Sequence, residues 1–166
     1  MSAPGLPDAV RKTINVRCSV DTAFRTWTEQ MHAWWPKGHS RSGDPRTMIF
    51  LERRVGGRIY ERTPEGVEHE WGAVAVWDPP RHFAYHWYLG SSAERPTRVD
   101  VHFIAYRDGS TRVEVCHQGP ELIGELWPRT SAIFDAAWEH LLPAYIAACH
   151  TATTHPDTCV EQEGSA

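Results

Sequence analysis

Late in the chain, apolar side chains come in pairs four residues apart: Ile133 and Phe134, Ala137 and Trp138, Leu141 and Leu142, Tyr145 and Ile146, then Cys149. This is helical spacing. A strict four-residue repeat drifts by about 40° per step against the 3.6-residue turn, so the apolar stripe spirals and widens, and its partner must be concave. Asp135, Glu139 and His140 hold the opposite face. Thr130 or Ser131 is placed to cap the first turn, and Pro143 predicts a kink because it removes one backbone hydrogen bond.

Upstream the period shortens to two. Val10 to Cys18 alternates over Ile14, Val16 and Cys18 as a half-buried strand. Ser19 or Asp21 then opens a helix with Ala23, Phe24, Trp27 and Met31 on one side, stopped by Trp34-Trp35-Pro36. A polar loop runs from Lys37 to Arg46. Six strands follow, over Met48–Arg54, Arg58–Thr63, Glu68–Trp77, the Phe83/Tyr85/Trp87 stretch, the Val99/Val101/Phe103 stretch and the Val113/Val115/His117 stretch. Gly56-Gly57, Pro64-Glu65-Gly66, Asp78-Pro79-Pro80 and Asp108-Gly109 turn the chain between them. Short turns between consecutive strands predict an antiparallel meander. A twisted sheet of that length can wrap the spiralling helix, which predicts an α+β helix-grip fold of about seven strands, with one or two short helices after the first strand and a cavity between sheet and C-terminal helix. The expected organisation is a flexible segment over 1–9, one domain over 10–149 and a disordered tail over 150–166.

Composition narrows the function classes. With 17 Lys plus Arg against 21 Asp plus Glu and no run of like charge, neither nucleic acid nor a membrane is expected as a partner. No apolar run spans a bilayer and the start lacks the features of a signal peptide, so a cytoplasmic location is expected. Cys18, Cys116, Cys149 and Cys159 are widely spaced and read as mostly buried thiols. Eight tryptophans exceed what a core of this size needs and point to a lined cavity or a binding face.

Ala23-Phe24 with Trp27, Trp34-Trp35-Pro36, Glu52 before Gly56-Gly57-Arg58, Trp71-Gly72 with Val74, Asp78-Pro79-Pro80, Trp87, Thr111-Arg112 before His117, and Trp138 with Leu141 resemble the SRPBCC (START-like, helix-grip) superfamily. Within it they resemble the branch of homologues of the activator of the Hsp90 ATPase. The resemblance runs from about residue 10 to 149. It implies the helix-grip fold, and among functions it spans lipid carriers, hormone receptors and aromatase/cyclases. The activator that names the branch also works with a separate N-terminal domain that this sequence does not carry, which puts a chaperone partner in doubt.

Strand parity makes Phe83, Tyr85, Trp87, Val113, Val115 and His117 face inward. In the fourth strand the choice lies between Glu70/Gly72/Val74/Val76 and Trp71/Ala73/Ala75/Trp77, and the first set resembles the family's inward face. Glu52, alternating with Phe50, and Tyr60 are placed beside them. The expected ligand site is therefore Trp35, Phe50, Glu52, Tyr60, Glu70, Tyr85, Trp87, His117, Phe134 and Trp138, an aromatic pocket with Glu52, Glu70 and His117 as its polar groups. Each polar group also has a structural reading: the two carboxylates can fasten turns or pair with Arg58 or Arg112, and His117 can be a satisfied edge histidine. No motif for a metal, a cofactor or covalent chemistry is present. The expected function is binding of a small hydrophobic or aromatic molecule. The alternatives are an acid/base enzyme of cyclase or dehydratase type using Glu70 and His117, and a protein-interaction or co-chaperone-like module. A homodimer is compatible with the sequence.

Overall fold

The computed structural model describes residues 9–89, 92–119 and 124–154. Strand β1 (Ala9–Val16) leads into α1 (Val20–Glu29) and the one-turn α2 (Met31–Trp34). The strands β2 (Met48–Leu51), β3 (Arg58–Arg62), β4 (Glu68–Asp78), β5 (His82–Trp87), β6 (Thr97–Ala105) and β7 (Thr111–Gln118) follow, and a short 3-10 turn precedes α3 (Trp127–Thr154). All strands pair antiparallel in one seven-stranded sheet of order β1-β7-β6-β5-β4-β3-β2. The meander is as expected from the turn signals, with β1 closing onto β7.

Ser19 caps α1, its Oγ accepting from the Thr22 amide at 3.1 Å, and Ala23, Phe24 and Trp27 are buried on its inner side. Helix α3 starts four residues before Ser131, at Trp127, with Pro128 in its first turn where a missing amide hydrogen costs nothing. Thr130 and Ser131 therefore lie inside the helix and do not cap it; Ser131 Oγ donates back to the Pro128 carbonyl at 3.1 Å. The helix is one element through Pro143 and continues to Thr154, past the expected end of the domain. Residues 1–8 and 155–166, which hold most of the two expected flexible ends, lie outside the described residues.

The inner face of the sheet and the stripe of α3 meet in one core. Val99, Val101, Phe103, Val113 and Val115 from the sheet face Phe134, Trp138, Leu141, Leu142 and Tyr145 from α3. The Tyr145 hydroxyl donates to the Ala23 carbonyl at 2.7 Å and its ring lies 4.8 Å from that of Trp27, which locks α3 to α1. Seven of the eight tryptophans belong to this core and Trp77 packs against it. They form an aromatic lattice, not a surface patch. Cys18 and Cys149 are buried thiols and Cys116 is half-buried.

Candidate functional site

Strand β4 decides which predicted residues reach the interior, and it carries two irregularities. Between β3 and β4 the register passes from Ile59↔Gly72 to Tyr60↔Glu70, leaving Trp71 extra; between β4 and β5 it passes from Val74↔Tyr85 to Val76↔Ala84, leaving Ala75 extra. An extra residue reverses the side-chain alternation beyond it. Trp71 and Trp77 consequently join the aromatic core, with Trp71 5.3 Å from Trp35 and Trp77 5.2 Å from Phe24. Glu70 is exposed.

On β3, Ile59 and Glu61 are fully buried, so Tyr60 between them points the other way, and its cross-strand partners Phe50 and Glu70 go with it. The expected site residues Phe50, Glu52, Tyr60 and Glu70 thus lie apart from the space between sheet and α3. Phe50 and Tyr60 stack at 5.1 Å, with the Arg58 guanidinium 4.1 Å over Tyr60 and that of Arg62 4.9 Å over Phe50. Glu52 fastens the turn before β3: its Oε1 accepts from the Arg58 amide at 2.7 Å, and this bond, aided by the Arg58 and Arg54 charges, holds its carboxyl below the usual range. For Glu52 the turn-fastening reading is the one its contacts support; neither carboxylate lines the space between the sheet and α3, and Phe50, Glu52 and Tyr60 instead border a separate open cavity beside Glu29 and His32.

The other predicted residues do converge. A cavity of about 130 Å³ opens between the sheet and α3, lined by Trp35, Trp87, His117, Phe134 and Trp138, together with His39, Leu89, Ile133, Ala137 and Leu141. Tyr85 is buried beside it in the core, 5.4 Å from Trp87, and does not line it. His39 was not legible from spacing because it sits in the irregular loop after Trp35, held there by the Trp35 Nε1–H donating to its carbonyl at 2.6 Å.

His117 is 1% exposed and both ring nitrogens are engaged. Trp138 Nε1–H donates to Nδ1 at 3.1 Å. An indole nitrogen can only donate, so Nδ1 is the bare nitrogen and Nε2 carries the hydrogen, which it gives to Thr97 Oγ1 at 2.8 Å. The Thr97 hydroxyl in turn points to the Trp87 carbonyl at 3.4 Å. Burial pushes the imidazole down to about 3. The ring stacks on Phe134 at 4.0 Å. His117 is thus a neutral part of the wall that orients Trp138, with no nitrogen left for a substrate.

His39 lines the cavity and is exposed, so the cavity meets solvent beside it, and there it faces His140 of α3 with ring centroids 6.4 Å apart. Burial first, and the neighbouring His140 second, lower the His39 value. Both side chains are exposed. On another face, His82 and His102 stack at 4.0 Å and His82 Nε2 meets Asp100 at 2.9 Å. Among the described residues no cluster of three His, Cys, Asp or Glu could hold a metal ion, and no helix is long and apolar enough to cross a membrane.

A curved antiparallel sheet closed by one long helix over an aromatic-lined cavity defines a helix-grip protein of the SRPBCC kind. More narrowly, residues 17–150 match the family described as Activator of Hsp90 ATPase homolog 1-like protein, and the chain belongs to that family. Among curated proteins none matches. Of the solved structures, an anthrahydroquino-γ-pyrone synthase, Txn09, complexed with SUM, is similar with 30% identity and a TM-score of 0.60, over 89% of this chain and 99% of that one. Protein NE0264 from Nitrosomonas europaea shares the fold at 14% identity and a TM-score of 0.61, over 88% of this chain and 96% of that one. DynU16, a protein of the dynemicin biosynthetic locus, shares it at 17% identity and a TM-score of 0.63, over 88% of this chain and 48% of that one.

Proposed function

We propose that the protein binds a small, partly hydrophobic, ring-bearing molecule in the cavity between the sheet and α3. The observation that carries this reading is a cavity whose wall is aromatic and whose deep polar atoms are already used, by Trp138, His117 and Thr97 on one another. Such a wall rewards apolar area and flat shape. At about 130 Å³ it is close to an apolar cavity that takes up benzene and smaller than the space drug-sized ligands occupy. One ring fits as the cavity stands; a fused polycycle exceeds its volume. The similarity to a synthase named for a multi-ring aromatic product supports an aromatic ligand.

That same name favours a second reading, a cyclase-type enzyme. Against it, Glu52 and Glu70 lie away from the cavity and His117 offers no free nitrogen, so the groups anticipated for proton transfer do not share a point.

Native mass spectrometry of the purified protein, before and after denaturing extraction, tests the binding reading, paired with Ala137→Phe, which puts a ring into the cavity from α3. A co-purifying or added arene is expected to bind the native protein and be lost from the variant while the melting midpoint holds. Unchanged binding by the variant would place the ligand elsewhere.

A further inference from the structure

The cavity is polar only where it opens. Inside, Trp35 and Trp138 spend their indole N–H groups on protein acceptors, and His117 is satisfied at both nitrogens. At the mouth His39 of the loop, which lines the cavity, faces His140 of α3, which does not, with ring centroids 6.4 Å apart and tilted by 38°. The rim around them is apolar, with Leu89 and with Ile133, 56% exposed. No Asp or Glu is among the residues lining the cavity.

Building on the binding reading above, we infer that the cavity takes an aromatic carboxylate ring first, with the carboxylate held at the mouth between His39 and His140. The ring replaces water against Trp35, Trp87, Phe134 and Trp138. A carboxylate only accepts hydrogen bonds and has two oxygens to offer, which matches one N–H from each imidazole. Burial first and the neighbouring His140 second lower the His39 value, and an anion beside the His39 ring favours its charged form. A neutral arene would leave both unpartnered by ligand, and a small aliphatic acid would leave the cavity empty.

Of the titratable groups, His39 from the loop and His117 from β7 line the cavity; His140 of α3 does not line it and meets the site through its contact with His39, and Trp87 and Leu89 after β5 carry no charge. Since a bound carboxylate favours protonated His39, the complex takes up protons and its affinity rises as pH falls toward the lowered His39 value, while that of a neutral arene stays flat.

Titration calorimetry with benzoate, toluene and acetate, on the native protein, the double variant His39→Ala/His140→Ala and Ala137→Phe, tests this. Both histidines are exposed, so the double variant is expected to fold, which its melting curve checks. The expected result is that benzoate binds at least tenfold tighter than toluene, that acetate does not bind, and that the double variant reduces benzoate to the level of toluene. Equal binding of benzoate and toluene, or benzoate binding unmoved by the double variant, would overturn the carboxylate inference and leave the cavity reading standing. If no arene binds the native protein, or if Ala137→Phe binds both arenes as well as the native protein does, the cavity reading itself falls.

Discussion

His117 was the residue most easily mistaken for a base. Its value of about 3 lies well below that of an exposed histidine, and the consequence is for stability. Above about pH 6.5 the imidazole is neutral in both folded and unfolded chains. Between that pH and about 3 the unfolded chain binds a proton that the native state refuses, so this residue removes about 1.4 kcal/mol of stability per pH unit as the solution is acidified. Chemical denaturation at several pH values is expected to show the slope, and His117→Gln to reduce it. Trp138→Phe tests the same contact from the other side: losing the Nε1–H should cost about 1 to 2 kcal/mol, where Trp138→Ala, which also empties buried volume, should cost about 3 to 5 kcal/mol.

At the scale of elements, β4 is the informative strand. Its two extra residues bend it and aim Trp71 and Trp77 inward, and Gly72 lies where β5 comes closest: a Cβ there would sit 2.1 Å from the His86 carbonyl oxygen. Because that neighbour is backbone, it cannot swing aside. Gly72→Ala is expected to destabilise the protein by about 3 kcal/mol, read from the denaturation midpoint, and hydrogen exchange should place the damage at the β4–β5 pairing. A glycine inside a strand marks either a bend or a close backbone approach, and at Gly72 the close approach is the one the structure has. The parity of β4 was not legible beforehand, because the bulges are created by its neighbours and not by its own alternation. The β3–β4 irregularity turned Glu70 out of the site, while the plain alternation of β3 put Tyr60 and its partner Phe50 on the other face and the turn before β3 holds Glu52; Trp35, Trp87, His117, Phe134 and Trp138 stay in it.

Across the whole molecule, the cavity is bordered by parts far apart in sequence: the loop after α2, the end of β5, β7 and one side of α3. A ligand seated there therefore ties the loop to the helix. At a ligand concentration of 100 times Kd, stability should rise by about 2.7 kcal/mol, visible as a concentration-dependent melting midpoint. Exchange of the amides in loop 36–47 should slow with it. The aromatic lattice of tryptophans around the cavity is buried, which leaves little for a tryptophan-led surface interaction.

What the sequence by itself determined was the order of elements, the antiparallel meander, the inner faces of β5, β6 and β7, and the aromatic stripe of α3. Each of these follows from the spacing of residues within one segment, where the helical or extended backbone sets which side chains share a face. The tertiary structure alone decided the face of β3 and β4 near the bulges, the meeting of His39 with His140, and the engagement of both His117 nitrogens by Trp138 and Thr97. Those depend on pairings between segments that about ten to a hundred residues of chain separate, and no local period carries that information.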